Sequence, residues 1–182
     1  MNSFKLTIAE TELDKKAVGT RNLRSMLGAF VIGFSVTLIS GLWYWLVPRE
    51  MNWNASQTVL VLHLAGGVIS LILVLVFYFL HQKHKQQRPW MLLTPWRLKR
   101  EPDEEARRYR QRQLGHLLTW LLLAVYGSGV VIALPGVLFY LGRVWMQGYY
   151  LVQGLGQVHL WASLLLLPLF FTHLLWIAGK RG

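Results

Sequence analysis

Charged residues divide this chain into four long apolar blocks. No Asp, Glu, Lys or Arg occurs from Ser25 to Pro48, from Met51 to Leu80, from Leu114 to Gly142, or from Val144 to Gly179. Each block exceeds the roughly 20 residues that an α-helix needs to cross a hydrocarbon layer ~30 Å thick, so the pattern predicts four transmembrane helices. A membrane interior satisfies backbone hydrogen bonds only in helices or closed barrels, and these blocks lack the two-residue alternation of barrel strands. The expected fold is therefore all-α, a four-transmembrane-helix bundle with helices near 25–47, 57–80, 114–135 and 154–178. The first apolar stretch is too long for a cleaved signal peptide and has no small-x-small site after it, so it is kept as a span. Pro135 with Gly136 is expected to end or kink the third helix, and Pro168 to kink the fourth.

The blocks pair into two helical hairpins joined by a polar loop over 81–113. A weak repeat relates them. LGAFVIGFSVTLISGLWYW from Leu27 and LGHLLTWLLLAVYGSGVVI from Leu114 both open on Leu-Gly and reach a Ser-Gly about four turns later, at Ser40-Gly41 and Ser128-Gly129. The partner helices then carry HLAGG from His63 and HLWAS from His159, so the two histidines are expected at equivalent places. Gly28, Gly33, Gly41, Gly115, Gly127 and Gly129 fit close helix packing, whereas Gly66 and Gly67, one turn beyond His63, are read as clearing room for a ligand. Trp43, Tyr44, Trp45, Trp53, Trp145, Tyr149 and Tyr150 gather at one set of helix ends, as an interfacial aromatic belt does.

The net charge of +11 raises nucleic-acid binding, but the placement of the charges points elsewhere. Five Lys/Arg lie in the tail through Arg24, ten in the 81–113 loop and two after the last block, whereas the opposite loops hold only Arg49 and Arg143. This asymmetry predicts a cytoplasmic tail over 1–24, a membrane domain over 25–182, both termini inside and a basic cytoplasmic loop that touches anionic headgroups, with no nucleic-acid partner. Cysteine is absent, which removes disulfides, thiolate-held iron–sulfur clusters and covalent haem attachment. A cofactor must be held by other side chains.

Histidine is the remaining candidate. His63 and His159 each fall about six residues inside the outer end of their helix, hence at similar depth. Two imidazoles meeting at one level are what a six-coordinate haem iron requires. The run HLWASLLLLPLFFTH places His173 fourteen positions after His159. That is within about 40° of the same helix face and ~21 Å along the axis, room for a second haem near the other surface. Opposite His173, His116 on the third helix has a suitable depth; His81, at the end of the second, shares the face of His63 but lies roughly one turn too deep. His116 is favoured, with His81 the alternative. His84 sits in a basic stretch and reads as a headgroup neighbour. The bland reading of any such histidine is a hydrogen bond between helices. A proton relay or cation transporter would use intramembrane carboxylates, and the blocks contain none.

Four spans, both termini inside and the H-x13-H of the fourth helix resemble the small di-haem cytochromes b. These include the gamma subunits of membrane formate dehydrogenases, the cytochrome b subunits of nickel–iron hydrogenases and small bacterial quinol-oxidising cytochromes b. The resemblance covers nearly the whole chain on few residues: His63, His159 and His173 match that family's ligand positions. The family also places a histidine near the inner end of helix one, where RNLRSMLG (Arg21–Gly28) has none, so His116 or His81 must substitute or only one haem is held. The resemblance implies a multi-pass protein of the bacterial inner membrane. It would carry electrons between a quinone pool and a partner redox subunit, periplasmic or cytoplasmic, through one or two haem b groups. Gln157 or Ser163 is expected near the outer site, and Arg24, Arg112 and Lys180 as partners for haem propionates. A fainter likeness, in the Leu-Gly hairpin starts, is to the membrane helices of PepSY-type reductases, which implies a transmembrane ferric-type reductase. A haem-free four-helix scaffold is the third alternative.

Overall fold

The structure, a computed structural model, describes residues 2–48, 52–84, 93–95 and 104–178. Four helices follow one another: α1 (Asn2–Leu46), α2 (Trp53–His84), α3 (Ala106–Tyr140) and α4 (Tyr149–Ala178). Among the described residues there is no strand. Each helix contains a segment long and apolar enough to cross a membrane: Leu23–Leu46, Trp53–Lys83, Ala106–Tyr140 and Tyr149–Trp176. The helices outrun the apolar blocks because the flanking residues also favour helix. Ala106–Gln113 (ARRYRQRQ) is rich in Arg, Gln and Ala, so α3 starts eight residues before Leu114. Residues 85–92 and 96–103 of the 81–113 loop, Arg49 and Lys180 lie outside the described residues.

The chain divides into two compact units, Met1–Pro89 and Trp90–Gly182, each of them one antiparallel hairpin. In the first, small residues let α1 and α2 approach. Gly33, Thr37 and Gly41 recur every four residues on α1, the small-xxx-small spacing that brings helix backbones together in lipid. They meet, in order, Ser70 with Leu73, Gly66, and His63 on α2. Ser70 is wholly buried and donates its hydroxyl to the Gly67 carbonyl at 3.1 Å. Phe30 and Phe34 add a tilted ring pair with centroids 5.7 Å apart. Asn52 caps α2, its Oδ1 accepting the Ala55 N–H at 3.2 Å.

In the second unit, Leu114, Leu118, Val125 and Ser128 line the buried face of α3, and Ala162 and Leu166 that of α4. His159, Ala162, Leu166 and His173 are spaced three, four and seven residues apart, which keeps them on one stripe of α4. Long apolar side chains such as Ile32, Val61, Leu123 and Leu175 remain exposed. In water that surface would demand cover; against lipid tails it costs nothing.

Of the two outcomes expected at Pro135, an end or a kink, the end does not occur: α3 continues to Tyr140. Proline has no N–H for the carbonyl four residues back, that of Val131. Gln147, in the loop after α3, replaces the missing donor, its Nε2 reaching the Val131 carbonyl at 2.6 Å. Borrowing a side-chain donor in this way lets proline sit inside a membrane helix. The helix stops instead at Gly142, whose φ of +76° only glycine adopts cheaply. The Arg143 N–H bonds the Leu138 carbonyl at 2.9 Å and the Gly142 N–H that of Phe139 at 3.0 Å, which closes a Schellman cap. Pro168 likewise lies inside α4.

Candidate functional site

The same local arrangement occurs once in each hairpin. In the first, His63 Nδ1 lies 2.8 Å from the Thr37 carbonyl oxygen and 3.4 Å from Ser40 Oγ. In the second, His159 Nδ1 lies 2.9 Å from the Val125 carbonyl oxygen and 3.2 Å from Ser128 Oγ. The carbonyl, the serine and the following glycine stand at positions i, i+3 and i+4 of the facing helix in both cases. The glycine makes the approach possible. A methyl group at Gly41 would lie 2.8 Å from Cε1 of His63, and one at Gly129 would lie 3.0 Å from Cε1 of His159. Each ring therefore rests on the backbone of its neighbouring helix at a place that only glycine leaves open.

This packing has a chemical consequence. A carbonyl oxygen can only accept, so each imidazole donates from Nδ1–H. In the neutral ring the lone pair is then on Nε2, the atom farther from the supporting helix. A metal-bound histidine is held in just this way, with its second ring nitrogen donating to a carbonyl or carboxylate that sets tautomer and ring orientation. The two histidines also share a helical register, His63 ten residues after the start of α2 at Trp53 and His159 ten residues after the start of α4 at Tyr149.

The other candidates differ in setting. His116 is buried at 7% exposure on α3, and His173 is half-buried on α4. Counting along these antiparallel helices from the contact of His159 with Val125 and Gly129 puts His116 within about 8 Å of His173 along the axis. His81 is half-buried and stacks on Phe77, with ring centroids 5.6 Å apart and planes 20° from parallel. The side chain of His84 lies outside the described residues. Among the described residues no three of His, Asp and Glu cluster as a metal-binding group. His63 and His159 instead sit one in each hairpin, supported by backbone and hydroxyl oxygens.

Several neighbours have partners within the protein. Gly66 makes room for Thr37 rather than for a ligand, since a methyl group there would stand 2.9 Å from Thr37 Oγ1. The glycines that clear space beside the histidines are Gly41 and Gly129. The hydroxyl beside His159 is that of Ser128; Gln157 Oε1 instead accepts the Trp161 indole N–H at 3.1 Å. The repeated Ser-Gly was visible in the sequence, but its opposition to the histidines needed the pairing of the helices. Arg112 is engaged with Glu104 at 2.7 Å. No family model, curated protein or solved structure matches the chain.

Proposed function

We propose that this protein is a membrane-embedded b-type cytochrome, with His63 and His159 as residues that would hold haem. The observation that carries the reading is the twin support of these histidines: the same carbonyl, serine and glycine hold each ring, and each neutral ring offers Nε2 as a ligand. The donor set fits the group, because haem iron takes neutral imidazole nitrogens and needs no carboxylate or thiolate. Haem b bound through imidazole nitrogens would supply reversible one-electron chemistry.

The chain's own part is to hold and insulate. The Thr37 and Val125 carbonyls fix ring orientation, Gly41 and Gly129 admit the rings, and the apolar helices exclude water. His173, with His116 or in its place His81, is assigned to a second haem nearer the basic side of the membrane. On this reading both termini lie in the cytoplasm of a bacterial cell, as the bias of Lys and Arg supports. Electrons would pass between membrane quinone and a partner redox subunit, since the short outer loops leave no room for a catalytic domain.

The experiment is a visible spectrum of the purified protein before and after dithionite, with the haem-to-protein ratio. A sharp reduced α-band is expected, and His63→Gly or His159→Gly should abolish the outer haem, with added imidazole restoring it. A featureless spectrum from intact, folded protein would overturn the reading in favour of a haem-free scaffold.

A further inference from the structure

We propose that Ser40 and Ser128 are positioning residues that tune their histidines in opposite directions, Ser40 weakening the Nδ1–H donation of His63 and Ser128 strengthening that of His159. The inference rests on the ligand assignment above and concerns what each hydroxyl does to the ring it faces.

The two pockets match in outline and differ in where the serine proton goes. Ser40 donates its hydroxyl to the Thr37 carbonyl at 2.9 Å, the same oxygen that accepts from His63 Nδ1–H at 2.8 Å. Two donors therefore share one acceptor, and each takes some of its electron density. Ser40 Oγ returns little as an acceptor of its own, because 3.4 Å lies beyond the N–H···O range of about 2.7–3.2 Å. The net effect of Ser40 is competition.

Ser128 is arranged otherwise. Its shortest acceptor is the Ala124 carbonyl, one residue before the Val125 carbonyl that His159 uses, with a longer 3.1 Å contact to Val125 itself. Donation to Ala124 polarises the hydroxyl and makes its oxygen a better acceptor. That oxygen lies 3.2 Å from His159 Nδ1, at the edge of hydrogen-bond range, so the ring's N–H has two acceptors in Val125 O and Ser128 Oγ. Here the serine supplements the carbonyl.

Stronger Nδ1–H donation leaves the imidazole more basic at Nε2, which favours the ferric state and lowers the reduction potential. Removing Ser40 frees the Thr37 carbonyl for His63 and should lower the potential. Removing Ser128 takes an acceptor from His159 and should raise it.

The test is redox potentiometry of the full-length protein, followed in the visible spectrum, for Ser40→Ala and Ser128→Ala, with haem-to-protein ratio as the check on folding. The expected result is a downward shift for Ser40→Ala and an upward shift for Ser128→Ala. Ser40→Cys and Ser128→Cys, which keep side-chain volume but bond more weakly, should shift in the same directions by less, and stand in if an alanine variant loses haem. Potentials that ignore both serines, or that move in one direction for both, overturn the tuning while leaving the ligand assignment intact. Absence of haem from the unmodified protein removes the assignment and the tuning together.

Discussion

At the scale of single residues, the most constrained positions are two glycines. Gly41→Ala places a methyl group 2.8 Å from the His63 ring, and Gly129→Ala places one 3.0 Å from that of His159. The obstacle in each case is a ring pinned by its Nδ1 bond, so relief requires losing that bond or separating the helices. Overpacking of this kind costs about 1–3 kcal/mol. Both variants are expected to lower the thermal midpoint in detergent and the haem content, Gly41→Ala the more. Gly28, Gly115, Gly127 and Gly136 have open space where a Cβ would go, and alanine there should leave both measurements unchanged. Gly66 is an intermediate case, because its neighbour is a side chain that can be removed. Gly66→Ala crowds Thr37 Oγ1, and Thr37→Ala should relieve most of the cost in a double-mutant cycle. Purely additive costs would show that Gly66 is needed for some other reason.

At the scale of elements, α3 and its following loop depend on each other. Pro135 leaves the Val131 carbonyl without its helical donor, and Gln147 folds back to supply one. Gln147→Ala should destabilise the second hairpin by about 1–3 kcal/mol, the cost of a buried acceptor left unpaired. In a Pro135→Ala background the backbone N–H returns, and the same substitution should cost much less. Equal losses in both backgrounds, read as thermal midpoints, would exclude the coupling. The apolar block containing Pro135 was legible in the sequence, but the continuation of the helix through it was not. Proline rules are local, and the replacement donor comes from twelve residues further along.

At the scale of the molecule, the distribution of seventeen Lys/Arg against two predicts orientation. The chain has no cysteine, so single-cysteine variants report topology without background. Cysteine placed at Ser3 or Glu105 should react with a membrane-impermeant maleimide only after the membrane is opened, and cysteine at Gly148 should react in intact cells. Reaction at Ser3 or Glu105 from outside would invert the topology. Direction of electron flow is tested separately: reduction of the haem by a quinol supports the quinone-linked cytochrome, and reduction only by a cytosolic flavoprotein supports a ferric-type reductase.

The number of spans, their helical nature and the likeness of the two hairpins follow from sequence alone. Each rests on charge exclusion and local periodicity, which one strand of text carries in full. The histidines could be singled out for a related reason, since an imidazole in a charge-free block is costly wherever the helix turns. How each is supported depends on contacts between positions 22 to 34 residues apart, such as Gly41 with His63 and Val125 with His159. Only the register of two antiparallel helices decides those contacts. That register assigned Gly66 to Thr37 and set Ser40 and Ser128 beside the histidines, while the path of the loop after α3 let Gln147 complete that helix.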